Sequence, residues 1–450
     1  MARTAVFLTL IASATFCSHT APLYSQEAGQ VLIPAGAAQS EEWIGTRTTG
    51  GSSQTLVLHL SQGVGTGGTV DLPDFGAIGI PAAKFEMTKS NLHFELVGDS
   101  ANAIFDGIVS PTEIYGHWKE GNQSGDFTLN LSGKRDSGSE LLKKNLSIQN
   151  GDARLSGTLV MPHATGPVPL IVFVHGAGPE TRVASLFLAD YFARRGIAAF
   201  AYDKRGAGES TGDWKHASFE TLAGDVKEVV KFLAAQPGID ARRIGLMGSS
   251  QGGWIAPMVA VQQPDIAFVI VKSAPAVTPE RQELARVAQW MVEQKDSPAD
   301  VAEGQRLYKN AIAYARTGLG WSTLQQEIQA DSGKPWAYFA ADTPKDFYFF
   351  DQIRLFFTHD PIPVLQHLRC PLLVIFGGKD DDGPPLETEV GPLLTAMQAN
   401  GKDSQLAIFP NAGHDLRVVP VIGEPWDFGR FAPGYMQLLG SWVDAKVQTH

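Results

Sequence analysis

From Leu170 onward, short unbroken apolar runs alternate with stretches of helical length, and that rhythm restricts the fold more than any other feature. Leu170-Ile171-Val172-Phe173-Val174 has no polar residue to turn toward water, so it reads as a strand buried on both faces. The spacing then predicts a helix over Ser185–Arg195, a strand over Ile197–Tyr202 and a helix over Phe219–Ala235. A strand over Ile244–Met247, a helix over Gln251–Gln262 and a strand over Phe268–Val271 follow. Strands at Leu372–Phe376 and Leu406–Phe409 and a helix near Tyr435–Val443 complete the series, and a β pair turning at Asn150-Gly151 (Leu146–Met161) precedes it. Buried strands alternating with helices predict the α/β class, a mostly parallel sheet with helices on both faces. Residues Val277–Leu368 break the rhythm, being helical and rich in aromatic residues, Trp290, Tyr308, Trp336, Phe349, Phe356 and Phe357 among them. An insertion of about 90 residues between two sheet strands is expected to form a helical cap. Its rings divide between lining a pocket and packing the insertion's own core.

Residues 31–135 follow a different period. Leu56, Leu58 and Leu60 alternate with Val57 and His59; Leu92, Phe94 and Leu96 with His93 and Glu95; and Phe127, Leu129 and Leu131 repeat the pattern. Period two over several short segments, punctuated by Gly, Pro and Asp, predicts an all-β N-terminal domain, a sandwich or barrel. Gly133–Ser139 is the best linker, which leaves residues 140–450 for the α/β domain. Charged residues make up only 18% against 44% apolar, too few for a disordered or coiled-coil chain, and the net charge of −11 argues against a nucleic-acid partner. Residues 1–28 carry one positive charge at Arg3, run apolar from Ala5 to Phe16 and turn polar at Ser18, the pattern of a signal peptide, so a secreted or periplasmic location is expected. No later stretch is apolar for long enough to predict a membrane span. Phe16 is a poor neighbour for lipidation of Cys17; with the leader removed, Cys370 is the one remaining thiol and no intramolecular disulfide is expected.

Two stretches match G-x-S-x-G. Gly208-Glu209-Ser210-Thr211-Gly212 has no strand entering it and reads as a turn, whereas Gly248-Ser249-Ser250-Gln251-Gly252 joins an apolar strand to an apolar helix. That context exposes a serine at a sharp turn, so Ser250 is the expected nucleophile. A hydroxyl attacks poorly without a base. A base in a loop after the last sheet strand leaves His414 and the chain-terminal His450, and His414, in Pro410-Asn411-Ala412-Gly413-His414, is expected to serve. The acid that orients its ring follows the Leu372–Phe376 strand, where Asp380, Asp381 and Asp382 stand in a row; Asp380, the first off the strand, is preferred. The backbone N–H of Gln251 and, from the His175-Gly176-Ala177-Gly178 loop, that of Ala177 are expected to hold an oxyanion. Gly63-Val64-Gly65-Thr66-Gly67-Gly68 satisfies a dinucleotide fingerprint but no helix follows it, and the chain has no H-E-x-x-H, C-x-x-C or P-loop string, so neither cofactor nor metal is expected.

Taken together, His175–Gly178, Tyr202–Ser210, Gly248–Gly253, Gly377–Asp380 and Ala412–His414 stand in an order that resembles the α/β-hydrolase superfamily, in particular its serine esterases and S9/S33-type peptidases. The resemblance implies the α/β-hydrolase fold and a secreted bacterial serine hydrolase with an N-terminal extension, cleaving small-molecule carboxylic esters through an acyl-enzyme. Cleavage of an amide or peptide is the first alternative. A non-catalytic binding protein built on the hydrolase scaffold is the second.

Overall fold

The computed structural model describes residues 40–448 apart from 50–51, 62–66, 74–76, 97–101, 136–140, 335, 338, 400–402, 419–429 and 433. The expected leader, Cys17, His450 and most of the expected linker and of the Gly63–Gly68 string lie outside the described residues. The chain divides into two compact units, whose described parts are 142–416 with 440–448, and 40–141 with 417–439.

The unit that begins at residue 40 is built on one antiparallel sheet of nine strands: β1 (Ser40–Thr49), β2 (Ser52–Ser61), β3 (Gly67–Leu72), β4 (Ala77–Pro81), β5 (Ala83–Met87), β6 (Asn91–Leu96), β7 (Ala103–Val109), β8 (Glu113–Glu120) and β9 (Gln123–Arg135). Their order is β4-β3-β2-β1-β9-β8-β7-β6-β5. The two end strands are separated in sequence by Ala82 alone, whose N–H donates to Gly68 O at 2.9 Å, so the sheet has to curl until its ends meet. The period-two positions fill the inside, where Phe94 stacks on Phe105 at 4.5 Å and Phe127 meets Phe105 edge-on at 5.5 Å. Glu86, His93, Asp106, His117 and Asp126 stand directly opposite one another across β5 to β9, an alternating row of cross-strand acid–imidazole pairs.

In the other unit, β10 (Leu142–Asn150), β11 (Ala153–Met161), β12 (Val168–Val174), β13 (Ala198–Tyr202), β14 (Ile239–Ser249), β15 (Phe268–Lys272), β16 (Leu372–Gly377) and β17 (Ser404–Phe409) form a second sheet in the order β10-β11-β13-β12-β14-β15-β16-β17. The three pairings along β10-β11-β13-β12 change from antiparallel to parallel at β13, and every pairing from β13 to β17 is parallel. Every residue of β12, β13 and β16 is buried, as an unbroken apolar run requires. This is the α/β-hydrolase fold expected from the sequence.

Helices α1 (Val183–Arg194), α2 (Phe219–Ala234) and α3 (Gln251–Gln262) connect the parallel strands. Ser218 caps α2 by accepting from Thr221 N, and Phe219, Leu222, Val226, Val229 and Leu233 give it one buried stripe. Helix α3 has no polar stripe and is buried from Gln251 to Ala260, with Trp254 Nε1 bonded to Pro275 O at 2.7 Å. Between β15 and β16 the chain forms α4 (Pro279–Glu293), α5 (Pro298–Thr317), α6 (Trp321–Asp331), α7 (Tyr348–Phe356) and α8 (Pro361–His367); α9 (Val390–Ala399) and α10 (Tyr435–Gln448) come later. Among the described residues, no helix is long and apolar enough to cross a membrane.

Candidate active site

β14 ends at Ser249 and α3 begins at Gln251, so the reversal between them rests on Ser250. Its backbone sits at φ 51, ψ −123, a conformation that costs a non-glycine residue about 1–3 kcal/mol. Two hydrogen bonds hold it there: Ser250 N donates to Lys272 O and Gly253 N donates to Ser250 O, both at 2.8 Å. The flanking glycines are a steric necessity. A Cβ on Gly248 would lie 2.0 Å from Gly252 O, and one on Gly252 would lie 2.2 Å from Val174 O.

Glycine also sets the partner loops. A Cβ on Gly377, the last residue of β16, would lie 2.2 Å from Gly413 O, so the loops after β16 and β17 pass in backbone contact. Lys379 N donates to Ala412 O at 2.9 Å across that contact. The result is that His414 Nδ1 donates to Asp380, 2.9 and 3.0 Å from its two carboxylate oxygens. The first acid off the strand is therefore the one on Nδ1, while Asp381 is exposed. Asp382 occupies the other side of the ring, with Oδ2 3.6 Å from His414 Nε2. Gln282 Nε2 donates to Asp382 O at 2.7 Å, and Arg286 Nε lies 3.7 Å from Asp382 Oδ1, both from α4. His414 Nε2 has no hydrogen-bond partner among the described residues, so the structure brings the acid and base together but does not join base to nucleophile. Such bonds are often long until substrate arrives.

The electrostatics follow from this arrangement. Burial disfavours the imidazolium, but the charges of Asp380 and Asp382 and the Asp380 hydrogen bond outweigh it and push His414 up to about 9. Burial likewise opposes the Asp380 carboxylate, yet His414 and the Asp382 amide hold its pKa below the usual value. Asp382 goes the other way: burial pushes it up to about 6 despite His414 and Arg286.

Ser250, Gln251 and Ala177 all line one cavity of about 60 Å³, together with Lys204, Asp382 and the rings of Trp214, Trp254, Phe349, Phe356 and Phe357. Asp380 and His414 do not line that cavity. A wider hollow along residues 163–168 is open and borders His163 with no second titratable group.

Residues 165–309 match the family model described as "Serine aminopeptidase, S33". The chain is 24% identical over 268 residues to the esterase EstD of Thermotoga maritima, covering 58% of this chain and 57% of that one. It is 24% identical over 258 residues to an uncharacterised peptidase, YuxL, of Bacillus subtilis, covering 55% and 31%. A thiohydrolase of Aspergillus aculeatus is 32% identical over 118 residues, covering 26% of this chain and 36% of its own length. The chain thus spans little more than half of the first of these relatives and about a third of the other two. These matches and the fold support an α/β-hydrolase of the esterase- and peptidase-like family.

The second G-x-S-x-G match of this hydrolase does other work. Ser210 Oγ donates to Asp203 O at 2.6 Å and accepts from Ser156 N at 2.9 Å, so the hydroxyl is committed to bracing a turn. His175 is buried, 3.4 Å from Glu180 and edge-on to Tyr202 at 4.5 Å, a brace for its loop. Sequence reasoning missed Lys204, whose Nζ donates to Gly176 O at 2.8 Å and Gln251 Oε1 at 2.7 Å. A signal was present: Asp203-Lys204-Arg205 puts three charges directly after a fully buried strand, and all three are buried. Charged groups at the carboxyl ends of parallel strands lie where such sheets bind ligands. Arg205 answers to Asp225 at 2.6 Å and Asp203 to Arg182 at 2.7 Å, which leaves Lys204 as the one of these three on the cavity wall.

Proposed function

We propose that this hydrolase cleaves esters of short acyl groups through Ser250, His414 and Asp380, with an acyl-enzyme intermediate. The observation that carries the reading is Ser250's strained backbone on the wall of a cavity that Asp382 also lines, with Asp382 in turn 3.6 Å from an acid-bonded histidine. Ser250 Oγ attacks the ester carbonyl as His414 Nε2 takes its proton. Asp380 keeps the Nδ1 proton in place and stabilises the imidazolium. The N–H groups of Gln251 and Ala177 receive the charge that develops on the carbonyl oxygen. His414 then returns the proton to the departing alkoxide, and water repeats the sequence on the acyl-enzyme.

The size and walls of the cavity support a small acyl group. A space of about 60 Å³ holds roughly four to six water-sized bodies. Phe349, Phe356 and Phe357 come from α7 and the residue that follows it, so helices α4–α8 serve as the cap over the acyl site. The rest of that region's rings, such as Tyr308 against Phe339 and Tyr314 against Phe350, pack on one another. The relatives' names also converge on acyl transfer, as esterase, thiohydrolase and peptidase.

A fluorophosphonate probe followed by peptide mapping tests the nucleophile; a probe on any serine other than Ser250, or on none, refutes the reading. The matched family model favours a second reading, cleavage of an N-terminal peptide bond. Comparing p-nitrophenyl acetate and butyrate with aminoacyl p-nitroanilides separates the two, and anilides turned over as fast as esters would favour the peptidase. Residues 1–28 serve in this reading as a leader removed on export. Periplasmic or secreted material whose N-terminal sequence begins at Met1 would contradict that.

A further inference from the structure

We propose that Lys204 is a positioning residue for the oxyanion site, tying together the two backbone segments whose N–H groups receive the developing charge. The inference rests on the acyl-transfer reading above and adds a residue that the reading does not need. Lys204 Nζ bonds Gly176 O at 2.8 Å and Gln251 Oε1 at 2.7 Å. Gly176 O and Ala177 N belong to one peptide unit. In a trans peptide the C=O and N–H point in opposite directions, so drawing Gly176 O toward the ammonium aims the Ala177 N–H the other way. The same contact polarises the unit and makes that N–H a stronger donor. The second bond fixes the side chain of Gln251, the residue whose own N–H is the other donor. One cation thereby sets the spacing of both.

The loop is held from its opposite side as well. Gly176 N donates to Glu180 Oε2 at 2.7 Å, and Lys204 N donates to Glu180 O at 3.0 Å. A neutral group could supply the geometry alone. A buried ammonium carries a desolvation cost, which here pushes its pKa down to about 8 although Glu180 and Asp225 favour the charge. In return, its hydrogen bonds are roughly twice as strong as neutral ones, and it sets a positive charge on the wall of the cavity that Ser250 also lines. That charge acts on the transition state more than on the neutral ester, so its loss should fall on kcat rather than on KM.

The test is Lys204→Met, assayed with p-nitrophenyl acetate and with a short alkylboronic acid, whose serine adduct mimics the tetrahedral intermediate. The expected result is a kcat loss of about 10²–10³, the range for losing one oxyanion donor, with KM little changed and boronic-acid affinity reduced by a similar factor. A kcat near wild type, or a lost kcat with unchanged boronic-acid affinity, overturns the proposal. Should Lys204→Met fail to fold, Gln251→Met decides. It keeps the cation and the Gln251 N–H while removing one acceptor, and it should lower kcat and boronic-acid affinity together; no change in either overturns the proposal. Fluorophosphonate labelling of the wild type separates the levels. An unlabelled wild type sinks the acyl-transfer reading and this inference with it, whereas a labelled wild type and an equally fast Lys204→Met sink only the inference.

Discussion

Replacing Asp382 with Asn should move the pH dependence of the enzyme downward and make it faster near neutrality. Asp382 Oδ2 lies 3.6 Å from His414 Nε2, the nitrogen that in the proposed mechanism has to be unprotonated to accept the serine proton. At that separation two unit charges attract by about 1 kcal/mol in a water-like medium and about 5 kcal/mol at an effective dielectric of about 20, or roughly one to three pKa units. Arg286, 3.7 Å from the other carboxylate oxygen, draws off part of that field and favours the low end. The sign is fixed by the charge: an anion beside the ring stabilises the imidazolium, so removing it lowers the His414 pKa from about 9. A fall of one unit would raise the neutral fraction at pH 7 from about 1% to about 10%.

The assay is kcat/KM for p-nitrophenyl acetate against pH, which reports the free enzyme's essential groups. Wild type should climb through the alkaline range as His414, near 9, loses its proton, and level off as Lys204, held down to about 8, loses the charge that favours the oxyanion. The Asp382→Asn profile should have the midpoint of its acid limb at least one unit lower and run about tenfold above wild type at pH 7. An acid limb that stays in place or moves upward would refute the electrostatic argument. A plateau reduced by about 10⁴ would instead make Asp382, not Asp380, the acid that orients the base.

Three further substitutions separate chemistry from scaffold. Ser250→Ala should lower kcat by about 10⁵–10⁶ and abolish fluorophosphonate labelling, both read from purified folded protein. Gly377→Ala would place a Cβ 2.2 Å from Gly413 O, so it should cost about 1–3 kcal/mol in urea unfolding and lower kcat by parting Asp380 from His414; wild-type kcat in the variant would show that the backbone contact does not set the pair. Ser210→Ala strands Ser156 N and one acceptor, Asp203 O, and should cost about 1–3 kcal/mol of stability while leaving the labelling rate of Ser250 unchanged.

What could be read from the sequence is what local physics controls. Unbroken apolar runs became the buried strands β12, β13 and β16, and the turn at Ser250 fell between the strand and helix that frame it. Boundaries slipped where flanking residues did not change character: β14 begins at Ile239, five residues before the apolar run, because Asp240–Arg243 continue the strand while pointing their charges outward or into local pairs. The curling of the nine-stranded sheet was not legible beyond the choice of sandwich or barrel. Period two reports which face a residue takes and is silent on which strands are neighbours. The adjacency of β1 to β9, some 80 residues apart, depends on pairing that no short segment encodes.

The site shows the same division at closer range. Ser250, Asp380 and His414 could be named because each occupies a position that chain order dictates, at the end of a strand or in the turn after one. Asp382 and Lys204 could not, because their importance lies in what they face. Asp382 is two residues beyond the acid that bonds Nδ1, yet it meets the opposite nitrogen, and only the fold of the Asp380–Gly383 turn decides that. Lys204 is 28 residues from Gly176 and 47 from Gln251, and nothing local marks those two as its acceptors. In the proposed mechanism the two charges have opposed consequences for one proton transfer. Asp382 stabilises His414 in the form that follows the transfer, which slows its start at neutral pH and strengthens the base, whereas Lys204 favours the charge that the transfer creates on the substrate. Lys204→Met should lower the rate of Asp382→Asn at pH 7, where Lys204 is charged, without moving the midpoint of the acid limb, because one charge acts on the proton acceptor and the other on the oxyanion.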